Sequence, residues 1–80
     1  MQLGTRWDVG DDAPDSLSED MLRAIGRVEA ELEADGIDAS GWRWTLTWLE
    51  RRPVVELDDG TVVRETHDGA AIILPPAEDD

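Results

Sequence analysis

An α+β fold in the order β-α-β-β-β-β is predicted for these 80 residues: an antiparallel meander of four to five strands with one helix packed on one face. Three observations predict it. A single segment, near residues 17–36, repeats its apolar residues at helical spacing. From Trp42 onward the period switches to two and stays there. That second stretch is punctuated by Asp59-Gly60 and Asp68-Gly69, dipeptides that favour tight hairpins.

Each element follows from local chemistry. In Leu3-Gly4-Thr5-Arg6-Trp7-Asp8-Val9 the residues Leu3, Thr5, Trp7 and Val9 share one side, as in a short strand. Gly10-Asp11-Asp12-Ala13-Pro14-Asp15 breaks the pattern and reads as a loop. The helix that follows is signalled at both ends. Ser18 is a good N-cap with Glu19 and Asp20 in the first turn, Leu17 and Leu22 suit a hydrophobic staple, and Ser16 with Glu19 is a rival capping box. Gly36 suits the left-handed position after the last turn and would bring Ile37 onto Leu32. Met21, Ile25, Val28 and Leu32 form the apolar stripe, while Glu19, Arg23, Arg27 and Glu31 fall on the solvated side. Gly26, unfavourable in mid-helix, is expected to allow a close approach to the sheet.

Gly41-Trp42-Arg43-Trp44-Thr45-Leu46-Thr47-Trp48-Leu49 is the most distinctive strand, and Arg51-Arg52-Pro53 is read as its closing corner. Residues 53–57 and 61–65 flank Asp58-Asp59-Gly60, with a two-residue loop and a three-residue loop with a glycine bulge both open. His67-Asp68-Gly69 leads into Ala70-Ala71-Ile72-Ile73-Leu74, which Pro75-Pro76 stops. One domain is expected over 1–76, with 77–80 a frayed acidic end. Its core must be small, since a chain of this size hides only about 60% of its unfolded surface.

Composition narrows function more by exclusion than by assignment. The net charge is −13, and all seven basic residues are arginine. The absence of Lys, Asn, Phe and Tyr fits a G+C-rich genome, and the acidic excess fits a halophilic source. Phosphate backbones need clustered cations, so direct nucleic-acid binding is not expected. No cysteine is present, which removes disulfides, thiolate nucleophiles and cysteine-ligated zinc. No apolar run approaches the length of a membrane helix and no signal peptide is apparent, so a cytoplasmic protein without membrane contact is expected.

No motif carries chemistry. His67 beside Asp68 has no third group to serve as nucleophile, because Ser16, Ser18 and Ser40 are better placed as cap and turn residues. Asp8, Asp11, Asp12 and Asp15, like Asp58 and Asp59, lack the alternating spacing that wraps a calcium ion, and read as loop and turn. Paired carboxylates acting on a glycoside would need a cleft that so small a meander has little room for. Neither an enzyme nor a cofactor is expected.

The tryptophans therefore hold the functional question. Trp42, Trp44, Leu46 and Trp48 share one strand face, about 20 Å long, which matches a helix of about 25 Å. The expected core is Trp7, Met21, Ile25, Val28, Leu32, Trp42, Trp44, Leu46 and Trp48. One helix covers only about two strands, so part of the sheet is left for something else to shield, and a tryptophan interface remains the alternative. The opposite face carries Arg43, Thr45, Thr47 and Leu49, and Arg51-Arg52 is the sole basic doublet; these six are the expected interface with a protein partner or a second copy. The reading is a non-enzymatic interaction module. The alternative is an acidic decoy that mimics nucleic acid and occupies a basic, DNA-binding protein.

Overall fold

The computed structural model describes residues 4–76, so Leu3 of the first expected strand and the expected frayed end at 77–80 lie outside the described residues. The elements are β1 (Thr5–Asp8), α1 (Glu19–Ala34), β2 (Arg43–Leu49), β3 (Arg52–Leu57), β4 (Val62–Glu65) and β5 (Ala71–Leu74). The five strands form one sheet in the order β1-β2-β3-β4-β5, with every neighbouring pair antiparallel. This is the α+β meander with one helix on one face that the sequence predicts.

Both helix ends use the expected chemistry. Ser18 is extended at the N-cap, and its hydroxyl accepts the Met21 amide at 3.3 Å. At the other end Gly36 takes φ 72°, a left-handed value that a β-carbon would disfavour. Its amide donates to Glu33 O at 3.0 Å, and the Ile37 amide donates to Leu32 O at 2.9 Å, the pair of bonds that defines a Schellman ending.

Between those caps Met21, Ala24, Ile25 and Val28 are buried against the sheet. Trp7, Leu17, Trp44, Leu46, Val55, Leu57 and Val63 complete the core, with Trp44, Met21, Val55 and Val63 almost wholly enclosed. Strand register aligns these side chains. Trp7, Trp44 and Leu57 form one cross-strand row, and Leu46, Val55 and Val63 form the next. Leu32 and Trp42 are half-buried and pack on the margin of this cluster.

The helix backbone runs closest to β4 and β5, where the inner-face residues include the small Val63 and Ala71. Over β1 and β2 the bulk of Trp7 and Trp44 fills the wider space. One expectation is corrected: Trp48, placed in the core by its spacing, is 41% exposed. It pairs with Pro53 beside the Glu50-Arg51 turn, at the opposite end of β2 from Trp44, whose indole meets Glu29 of α1.

Gly26 corrects a second. It is exposed, and a β-carbon there would meet nothing within 4 Å, so no close approach to the sheet explains it. Gly26→Ala is therefore expected to stabilise the domain by about 1 kcal/mol, raising Tm by roughly 4–8 °C. A thermal melt showing no gain would contradict this placement.

The turns decide which face each residue takes. At Asp58-Asp59-Gly60 the Leu57 amide donates to Thr61 O at 2.8 Å and the Gly60 amide donates to Leu57 O at 2.9 Å. Thr66 and Ala70 repeat that arrangement around His67-Asp68-Gly69, at 2.7 and 3.0 Å. Both are three-residue loops closed by a left-handed glycine, with φ 101° at Gly60 and 90° at Gly69. This settles the open register: Val63 points into the core and Val62 to the other side.

The β2–β3 connection differs from the expected Arg51-Arg52-Pro53 corner. Leu49 pairs with Arg52 and Trp48 with Pro53, so Arg52 and Pro53 already belong to β3 and the turn is Glu50-Arg51. Both turn residues have positive φ, 52° and 68°. The tight two-residue hairpin demands that geometry, which Asn-Gly supplies without strain and Glu-Arg does not. Glu50→Asn with Arg51→Gly is expected to add about 1–2 kcal/mol, read as a higher urea midpoint at unchanged m. An unchanged midpoint would mean that the turn is not strained.

Candidate interaction surface

Alternation along the strands sends every second residue to the side of the sheet without a helix. There lie Arg6 and Asp8 from β1; Arg43, Thr45, Thr47 and Leu49 from β2; and Arg52, Val54 and Glu56 from β3. Val62 and Arg64 from β4 and Ile72 and Leu74 from β5 complete it. Register makes two long rows: Arg6, Thr45, Glu56, Val62 and Leu74, then Thr47, Val54, Arg64 and Ile72. Five of the six expected interface residues thus share this face, and Arg51 stands beside it in the hairpin turn.

The chemistry of this face departs from the rest of the molecule. Among the described strand residues, four of the seven arginines lie on it against two carboxylates, a local balance of +2 on a chain of −13. One of those arginines is partly neutralised, since Arg43 Nε lies 3.2 Å from Asp8 Oδ1 in an exposed pair of small energetic value. Aliphatic surface lies among the cations. Leu49 is 66% exposed and Leu74 39%, while Val54, Val62 and Ile72 are half-buried. No aromatic residue points to this side, because Trp7, Trp44 and Trp48 share the opposite parity.

At the β2–β3 end the two faces meet. Trp48 is exposed on one side of the hairpin and Leu49 on the other, with Arg51 and Arg52 next to them. A shallow depression lined by Leu49, Glu50, Arg52, Val54, Arg64 and Glu65 continues the open face there. Apolar surface and guanidinium groups at one tip are the composition of protein contact sites.

One residue that sequence reasoning passed over organises the covered side. Glu29, on α1, accepts the buried indole N–H of Trp44 at 2.8 Å and the Gly10 amide at 3.3 Å. It ties the helix, β2 and the β1–α1 loop together. Its one visible signal is position, next to Val28 at the edge of the apolar stripe, opposite a strand whose tryptophans need acceptors. By contrast the Trp7 indole N–H is buried with no partner among the described residues.

His67 is exposed in its turn, with Asp68 engaged by the Thr66 hydroxyl rather than by the imidazole. That hydroxyl bond lowers the Asp68 pKa, and the Ser40 hydroxyl and amide do the same for Asp38. A carboxylate held low stabilises the fold above its unfolded pKa, and the contribution is lost as pH falls through the folded value. Thr66→Val is expected to return Asp68 towards the ordinary carboxylate pKa in a carboxylate-detected NMR titration; an unmoved titration would show that the hydroxyl bond is not its cause.

Among the described residues no cluster of three or more His, Cys, Asp or Glu is placed to hold a metal ion, and no helix is long and apolar enough to cross a membrane. Compared with known proteins, the chain matches no protein-family model, no curated protein and no solved structure.

Proposed function

We propose that this chain is a small, non-enzymatic, cytoplasmic interaction module that docks on a protein, or on a second copy of itself, through the helix-free side of its sheet. The observation that carries the reading is the grouping of exposed aliphatics with four arginines on the one face the helix leaves bare. Desolvating Leu49, Val54, Val62 and Leu74 supplies the non-directional part of binding, and the guanidinium groups supply orientation. The absence of aromatic platforms there favours a protein over single-stranded nucleic acid. Left-handed Glu50 and Arg51 support the same end of the molecule, because strained backbone retained beside exposed Trp48 and Leu49 is characteristic of contact sites.

The test is differential capture from a lysate of the source cell. Wild type and the helix-side variant Arg23→Glu are expected to retain one partner in fixed ratio, and Leu49→Asp with Arg52→Glu is expected to lose it. Equal capture by all three contradicts the reading.

A second reading, the acidic decoy, draws support from the same segregation: with cations gathered on the open face, acidic groups crowd the helix layer and the turns. Under that reading a basic DNA-binding protein is held through α1, the Leu49 variant still captures it, and moderate salt releases it.

A further inference from the structure

We propose that the outer edge of β5 is where two copies of this chain join, antiparallel, about a two-fold axis at Ile72, extending two five-stranded sheets into one. The proposal rests on the reading of the chain as an interaction module and adds which edge is used and by what partner. Among the described residues β5 is a terminal strand, with β4 on one side and no strand on the other.

The hydrogen-bond phase fixes what that edge offers. Thr66 N–H donates to Ala70 O, and alternation along an antiparallel ladder then directs Ile72 and Leu74 towards β4. Ala71 and Ile73 therefore turn their N–H and C=O groups outward. A copy rotated about Ile72 sets Ala71 against Ile73 of its mate and Ile73 against Ala71, so all four outward groups of each strand find partners. Pro75 has no N–H, which ends the ladder there and limits growth along the strand.

The composition of β5 favours a copy of itself as the occupant. Residues 69–77 are the longest uncharged run in a chain that is 34% charged. Two molecules of −13 repel one another, and this run is where they approach with least opposition. Ile73 and Leu74, 37% and 39% exposed, leave apolar surface at an edge that isolated proteins normally blunt with charge. The other terminal strand, β1, is blunted in that way: it carries Arg6 and Asp8, with Asp8 paired to Arg43.

Joining at Ile72 also makes use of neighbouring surface. On the open face the two Ile72 side chains meet in the close, non-hydrogen-bonded pairing, so the Thr47-Val54-Arg64-Ile72 row continues from one copy into the next. On the helix side the partner strand closes the groove between α1 and β5 lined by Ala24, Arg27, Ala71 and Ile73.

Sedimentation velocity from low to high micromolar concentration, at low and at raised NaCl, tests this. Wild type is expected to reach twice the 8.9 kDa chain mass, more readily at raised salt because repulsion is screened. Ile72→Lys places like charges directly opposite, and Ile73→Pro removes an outward N–H that the single chain does not use; each is expected to weaken the dimer at least about tenfold. If circular dichroism shows that the proline variant is unfolded, Ile72→Lys decides alone. A monomer at every concentration overturns the proposal, as does open-ended growth or a dimer untouched by folded edge variants. A dimer lost only on Leu49→Asp overturns it while leaving the open-face module standing. Loss of captured partner by the Leu49 variant is independent of all these outcomes and bears only on that module.

Discussion

Trp44→Ala is expected to cost about 3–5 kcal/mol, enough to unfold much of the population of a domain this size at 25 °C. Trp44 is fully buried in the row between Trp7 and Leu57, and it spans the wide side of the gap between α1 and the sheet. No neighbour can move in to fill the void, because the helix already rests on β4 and β5. Urea unfolding followed by far-UV circular dichroism measures the loss. Trp48→Ala is the internal control and is expected to cost under about 1 kcal/mol, since that ring is 41% exposed. Equal losses at the two positions would contradict their different burial.

Glu29→Leu is the second large effect, at about 1.5–3 kcal/mol. The substitution keeps apolar bulk at the helix margin but leaves the buried Trp44 indole N–H without its 2.8 Å acceptor and the Gly10 amide without its 3.3 Å one. Glu29→Gln retains an acceptor and loses only the charge assistance, so it should fall between wild type and Leu. The same denaturation series reads all three. Glu29→Leu as stable as wild type would mean that the indole bond contributes nothing net. Trp7→Phe offers a comparison, because its indole N–H has no partner among the described residues and the cost is expected to reflect ring volume.

Much of the fold was legible because its signals are local. Ser18 and Gly36 bracket the helix by cap chemistry that needs no tertiary information, and the alternation from Trp42 to Leu49 leaves one way to orient that strand. What was hidden depends on partners distant in sequence. Trp48 has the same spacing as Trp44, and only position along β2 relative to α1 distinguishes their burial: the Trp44 indole meets Glu29 of the helix, while Trp48 pairs with Pro53 beside the turn. Asp-Asp-Gly suits two loop lengths, so Val62, Arg64, Ile72 and Leu74 could not be assigned to the open face until the bonds at Thr61 and Ala70 fixed the parity. Glu50-Arg51 carries no residue that prefers left-handed backbone, which is why Arg51-Arg52-Pro53 looked like the corner. Glu29 resembled any helix-surface carboxylate, and its role follows from an indole on a strand fifteen residues away.

Five of the thirteen residues placed on the helix-free face were therefore visible in advance. Arg43, Thr45, Thr47 and Leu49 follow from the parity of β2 and Arg52 was named as half of the basic doublet, whereas Arg6, Val54, Val62 and Leu74 required the complete register. The charge contrast emerged only from that full set.

Site-specific photocrosslinking in the source cell tests the central claim, that the helix-free face is the contact surface. A benzophenone side chain at Leu49 or Thr47 is expected to give a discrete adduct on irradiation, and the same group at Glu31, on the exposed side of α1, is expected to give none. Adducts from Glu31 with silence at Leu49 and Thr47 would contradict the account.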